Sequence, residues 1–225
     1  MTLPAHGAPG APATLGDRPA IHIVDDDPAV RRALTRLLSL EDYEVYAYES
    51  AEAFLAELVL DRHGCVILDL ALPGLDGVAL QLALAERGVH LPVLFLTGHA
   101  DVPMTVNAMK QGALDLLVKP VDAGVLLAAV DRALHKDDRL REQRARRATT
   151  DSRLASLTPR EREVLMHVMA GRLNKQIAAD LGTAEKTVKV HRARGMEKMQ
   201  VRSVAELVRI VERAHPHDDE GELAA

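Results

Sequence analysis

The chain has 225 residues, enough for two domains, and no apolar stretch approaches the roughly 18 residues that span a membrane. It is 48% hydrophobic but only 2% aromatic and lacks tryptophan, which disfavours a stacking platform for single-stranded nucleic acid. The net charge of −5 hides an asymmetry: residues 20–136 carry 9 Lys and Arg against 17 Asp and Glu, whereas residues 153–213 carry 13 against 7. An acidic half joined to a basic half implies two tasks, one of them on a polyanion.

Residues 1–19 are rich in Ala, Pro and Gly, with no basic start and no apolar centre. They read as a disordered lead rather than a signal peptide. A short apolar run at 21–24 ends in Asp25, Asp26 and Asp27, and Pro28 suits the first turn of a following helix. Val30, Ala33, Leu34, Leu37 and Leu38 recur at helical spacing, predicting a helix over 29–40. A second strand is expected at 44–47 and a second helix at 51–60. Residues 65–69 form a third apolar run that ends in Asp69 and a Leu-Ala-Leu-Pro-Gly loop. Its Cys65 is the single cysteine, which excludes an internal disulfide and fits a small core residue in a reducing, cytoplasmic protein. A helix at 78–87, a strand at 91–97 ending in Thr97-Gly98-His99, a helix at 102–111, a strand at 114–119 ending in Lys119-Pro120 and a helix at 121–135 complete the half. Five βα repeats predict a doubly wound parallel sheet with helices on both faces.

Residues 136–153 are dense in charge and read as a linker, partly helical as an extension of the fifth helix. Beyond them the periodicity is purely helical. Thr158-Pro159-Arg160-Glu161 is a capping box with proline at the first helical position. Asn174 is expected to cap a short second helix, Thr183 or Ala184 to begin a third over 185–199, and residues 203–213 to form a fourth. The turn at Gly182 gives this module the outline of a helix-turn-helix. The apolar stripe of the last helix exceeds what a small module must bury, and is expected to form a dimer seam.

In a parallel sheet all strand C-termini share one edge, the edge where open α/β sheets bind ligands. Asp25, Asp26, Asp27, Asp69, Thr97 and Lys119 all fall there. Crowded carboxylates call for a shared cation, and oxygen-only donors favour Mg²⁺. Aspartate is a competent nucleophile towards phosphorus, and a metal with a lysine ammonium offsets the phosphoryl charge. Taken singly, these residues have plainer uses as helix caps, loop carboxylates or strand ends. The combination carries the reading.

The motifs VDDDP at 24–28, ILDLALPG at 67–74, LTGHADVPMTV at 96–106 and VKP at 118–120 resemble the receiver domain of bacterial two-component response regulators. LTPREREVL at 157–165, NKQIAADLG at 174–182 and KTVKVHRARGMEKM at 186–199 resemble the LuxR-type helix-turn-helix output domain. Together they are similar to the NarL/FixJ class, the FixJ type in particular. The resemblance implies a flavodoxin-like or CheY-like receiver over 20–136, a linker over 137–153, an all-α output domain of four helices over 154–213 and an acidic disordered tail over 214–225. It implies that Asp69 is the phospho-acceptor, that Asp26, Asp25 and the backbone carbonyl of Ala71 join Asp69 in holding Mg²⁺, and that Thr97 and Lys119 contact the phosphoryl group. The Lys119–Pro120 bond is expected to be cis. At the position where the family often has a switch aromatic this chain has Leu116. In the output domain the resemblance implies a helix-turn-helix at 174–193. There Lys189, Val190 and Ala193 face bases, and Lys186, Arg192 and Arg194 contact phosphates. The implied partners are a sensor histidine kinase, double-stranded promoter DNA, RNA polymerase and, on phosphorylation, a second copy of the chain.

Two other functions compete. A phosphatase of the haloacid-dehalogenase type needs a second acid two residues after its nucleophile, and Ala71 stands there. A regulator that ignores phosphorylation has only Leu116 in its favour, against an intact acid cluster.

Overall fold

The computed structural model describes residues 18–58, 62–98 and 102–215, with the backbone alone for 102–105. Most of the expected lead, the acidic tail beyond His215, and residues 99–101 after the fourth strand lie outside them. The chain divides into two compact units, Met1–Leu140 and Arg141–Ala225.

The first unit alternates strand and helix: β1 (Ala20–Val24), α1 (Pro28–Leu38), β2 (Glu44–Tyr48), α2 (Ala51–Glu57), β3 (Gly64–Asp69), α3 (Gly77–Glu86), β4 (Val93–Thr97), α4 (Val102–Lys110), β5 (Asp115–Val118) and the start of α5 (Ala123–Ala155). The strands are all parallel, in the order β2-β1-β3-β4-β5. β1, β3 and β4 are buried along their whole length, as apolar runs covered by helices on both faces must be. Alternate residues of β3 divide between the faces. Val66 and Leu68 join Phe54, Leu80, Leu84 and Phe95 in one core. Cys65 and Ile67 join Ile21, Leu34, Leu94 and Leu126 in the other. Burial pushes the Cys65 thiol far up, so it acts as a small apolar side chain.

The fifth helix does not stop near residue 135. It runs unbroken to Ala155, so the stretch expected as a linker is its second half. No Gly or Pro occurs between Gly124 and Pro159, and Arg, Ala, Glu and Gln are strong helix formers. Residues 142–149 are exposed without exception, braced by backbone hydrogen bonds and by pairs such as Glu142–Arg146 at 3.0 Å.

Among the described residues the second unit contains the rest of α5 and four more helices: α6 (Pro159–Met169), α7 (Asn174–Asp180), α8 (Glu185–Lys198) and α9 (Val204–Ala214). The capping box at α6 is present: Glu161 N–H donates to Thr158 Oγ1 at 3.3 Å, and Thr158 N–H to Glu161 Oε2 at 2.9 Å. Lys198 Nζ also reaches Glu161 at 2.7 Å, and this ion pair with the Thr158 N–H holds the Glu161 carboxyl down at about 2. Asn174 does not cap α7. The N-cap is Leu173, and the Asn174 side chain instead accepts from Arg192 Nη1 at 3.0 Å, which draws it across to α8. The stripe on α9 is used inward in part: Leu207 is buried with Leu165 and Met199, the half-buried Ile210 and Val211 pack against the same cluster, Val204 packs with Val164 and Val188, and Val208 stays half-buried.

Candidate functional site

Parallel register brings the strand ends of the first unit together. Val24 pairs with Leu68, Asp69 with Leu96 and Thr97 with Val118, so the residues at and just after these ends line one rim. The rim lies where the strand order reverses, between β1 and β3. Asp25, only 1% exposed, and the buried Asp69 both meet Lys119, whose ammonium donates to Asp25 Oδ2 at 2.6 Å and to Asp69 Oδ2 at 2.7 Å. Asp26 is exposed, and ligand oxygens of Asp25, Asp26 and Asp69 lie within 4.8 Å of one another. Thr97 is buried at the end of β4, and its carbonyl accepts from Lys119 N–H at 2.8 Å. The Lys119–Pro120 bond is cis.

Burial pushes the Asp25 carboxyl upward, outweighing the hydrogen bonds from Lys119 and the Asp27 N–H. Burial alone would lower Lys119, but its contacts with Asp25 and Asp69 dominate and its pKa rises. Asp25 and Asp69 share the Lys119 ammonium and Asp26 stands beside them, so even with the Arg31 guanidinium at the Asp25 carbonyl the formal charge of the rim is negative. All-oxygen donors, one of them open to water, fit a hard divalent ion that keeps part of its hydration shell.

Asp27 has a different task from its neighbours. It is the N-cap of α1, accepting from Ala29 N–H at 2.7 Å, while its own N–H orients Asp25 Oδ1 at 2.9 Å. Two supporting residues escaped the sequence reading. Arg31 Nη1 donates to the Asp25 carbonyl at 2.6 Å. Gly77 opens α3 directly behind the acceptor strand: a Cβ there would lie 2.4 Å from the Asp69 carbonyl and 2.9 Å from the Phe95 ring. The Asp76-Gly77 pair at the mouth of an apolar helix was the available signal. Ala71 N–H donates to Asp69 Oδ1 at 3.1 Å, leaving Oδ2 to Lys119. Leu116 is half-buried on β5 and packs against the core that includes Ala108 of α4.

In the second unit α7 and α8 make the helix-turn-helix. Val188 is buried in the core. Lys186, Lys189, Val190, Ala193 and Arg194 are exposed on α8, and Arg192 is half-buried against Asn174. Lys189 pairs with Glu185 one turn earlier at 2.9 Å, an exposed contact that is weak and readily exchanged for another anion. Gly195, within α8, allows a close approach of this helix to α6: a Cβ there would sit 2.9 Å from Leu165 Cδ1 and 3.0 Å from its Cγ.

A doubly wound sheet with an acid–lysine rim, in one chain with a basic helix-turn-helix, defines a receiver coupled to a DNA-binding output. The chain matches the family described as response regulator receiver domain over residues 21–131 and that of bacterial regulatory proteins, luxR family, over residues 155–211. It is 44% identical over 192 residues to nodulation protein W of Bradyrhizobium diazoefficiens, covering 85% of each chain. It is 44% identical over 191 residues to the transcriptional regulatory protein FixJ of Azorhizobium caulinodans, covering 84% of this chain and 90% of that one. The solved structure of the response regulator StyR superposes with a TM-score of 0.78 at 42% identity, covering 87% of this chain and 99% of that one. The protein belongs to the NarL/FixJ family of two-component response regulators, with a receiver domain and a LuxR-type DNA-binding domain. Membership implies a sensor kinase as donor and DNA as target, and receivers of this family generally bind Mg²⁺ at their acidic pocket. Among the described residues no helix is long and apolar enough to cross a membrane.

Proposed function

We propose that Asp69 accepts a phosphoryl group from the phosphohistidine of a sensor kinase, and that this event governs promoter binding by α8. The observation that supports it most is the ammonium of Lys119 held at hydrogen-bond distance from both Asp25 and Asp69. An Asp69 oxygen attacks phosphorus, the P–N bond breaks, and its electron pair leaves with the imidazole, which takes up a proton. Lys119 moves its hydrogen bond from the Asp69 carboxylate to a phosphoryl oxygen, and the Thr97 hydroxyl provides a second contact. Asp25, Asp26, Asp69 and the Ala71 carbonyl would hold Mg²⁺, which when bound neutralises charge on the phosphoryl oxygens. The receiver catalyses only its own phosphorylation and dephosphorylation. Ala71 leaves no second acid to act on a leaving group.

Occupancy at Thr97 shifts an existing equilibrium of α4 and β5, with Leu116 as the moving side chain. Val106 and Met109 on α4, Val118 on β5 and Val125 on α5 are exposed apolar residues that suit a homodimer. The dimer presents two copies of α8, whose Lys189, Val190 and Ala193 read bases while Lys186, Arg192 and Arg194 hold phosphates, beside RNA polymerase. The test is Asp69→Asn treated with acetyl phosphate and Mg²⁺. Loss of both phosphoryl uptake and phosphate-dependent promoter binding is expected. A variant that activates its promoter as the parent does would refute the mechanism.

A further inference from the structure

Among the described residues of the second unit two large apolar side chains are exposed, Leu173 at 68% and Val190 at 42%. Val190 lies on the DNA-facing stretch of α8, but Leu173 has no assigned role. Leu173 holds the N-cap of α7, where a side-chain oxygen would serve the first-turn N–H groups and a leucine cannot. α1, α2, α3, α6 and α9 all have Asp, Ser or Thr there, each accepting from its own helix, and α8 has the small Ala184, which serves no N–H but exposes little apolar surface. Only half of a capping arrangement survives at α7, with Leu173 N–H donating to Gln176 Oε1 at 2.9 Å. A leucine in this place is unfavourable for the helix and unfavourable in water.

Its neighbours indicate what covers it. Asn174, the next residue, is hydrogen-bonded to Arg192 on α8, and Arg192 is two residues from Val190. The start of α7 is thereby fastened to the middle of the recognition helix. Lys175 is exposed beside it. When a helix-turn-helix docks, its first helix crosses the DNA backbone next to the groove that the second one enters. We propose that Leu173 packs on the deoxyribose edge of the backbone flanking the major groove, an apolar contact that strengthens binding to any sequence. The inference rests on the reading of α8 as the DNA-facing helix.

The test uses the full chain, a duplex selected by the parent protein from a random pool, and an unrelated duplex of the same length. Leu173→Ser restores the cap, so this variant is expected to melt no lower than the parent. It is expected to bind both duplexes about tenfold more weakly, the worth of one buried aliphatic contact. The slope of log affinity against log salt is expected to stay unchanged, because an apolar contact releases no counterion. Lys186→Ala, which removes a phosphate contact of α8, in contrast lowers that slope by about one. If Leu173→Ser binds like the parent while Lys186→Ala is weakened, the Leu173 contact is refuted and the α8 reading stands. If neither variant is weakened, the α8 reading fails and the inference with it. A reduced slope in Leu173→Ser, or normal DNA binding with reduced transcription, also overturns the proposal, the latter because a protein rather than DNA then covers the leucine.

Discussion

Gly195 sits in the middle of α8, where alanine would ordinarily be better by about 1 kcal/mol. The structure predicts the opposite sign. A methyl at this point would meet Leu165 Cδ1 at 2.9 Å and Cγ at 3.0 Å, well inside ordinary contact. Leu165 is 2% exposed and wedged among Leu157, Met199, Val201 and Leu207, so it has little room to retreat. Overpacking of this kind costs about 1–3 kcal/mol, and contact at the branch carbon places it in the upper half of that range. Gly195→Ala should therefore destabilise the second unit by about 1 kcal/mol net. In a Leu165→Ala background the clash is gone and the new methyl fills part of the cavity. The same substitution should then stabilise by about 1–2 kcal/mol, a coupling of roughly 2–3 kcal/mol. The assay is selective because every aromatic residue of the chain lies between Tyr43 and Phe95. Tyrosine fluorescence follows the first unit alone, while far-ultraviolet circular dichroism follows helices in both. In urea the dichroism transition should move and the fluorescence transition should not. Gly195→Ala stabilising in both backgrounds would refute the close-packing argument.

Three further outcomes are expected. Lys119→Met removes the ammonium shared by Asp25 and Asp69, and should lower the stability of the first unit by about 3 kcal/mol without divalent ions, by fluorescence-detected melting; millimolar Mg²⁺ should restore much of the loss, and no response to Mg²⁺ would count against the shared site. Asp27→Ala should cost about 1 kcal/mol through the lost α1 cap yet still allow phosphoryl uptake from acetyl phosphate, separating Asp27 from Asp25 and Asp26. His22 is held down at about 4, first by burial and then by the charge of Arg62, against 6.5 when unfolded. Between these values acid protonates the unfolded chain before the folded one, so stability is complete above pH 6.5 and falls as pH drops towards 4, by about 3 kcal/mol. His22→Phe keeps the ring among Tyr46, Tyr48 and Phe54 without the titration, and its stability profile should be flatter over that interval.

What could be read from residues alone was whatever depends on chain order and period. Strand ends carrying Asp25, Asp69, Thr97 and Lys119 could be recognised because parallel strands must end on one edge, and the acid–lysine rim assembled there as expected. Readings that depend on which neighbour competes for a side chain went differently. Asn174 is a good N-cap residue in isolation, but Arg192 takes its oxygen. Part of the stripe on α9 serves Leu165 and Met199, a use that periodicity alone does not show. Three consecutive aspartates looked alike, and only backbone direction separates the cap at Asp27 from the rim residues Asp25 and Asp26. The end of the fifth helix was placed too early because loss of apolar periodicity ends packing, not helix.

That difference has a practical consequence. From Glu142 to Thr149 the long helix has no core residue to anchor it, so its protection comes from its own hydrogen bonds and from exposed side-chain contacts such as Arg147 with His215. Such a segment opens locally without unfolding either flanking core. It is also studded with trypsin sites at Arg144, Arg146 and Arg147. Brief exposure to the protease should cut here first and release two folded fragments. The speed of that cut would measure helix opening directly, and any state of the protein that covers or frays this stretch would announce itself as a change in the digestion rate.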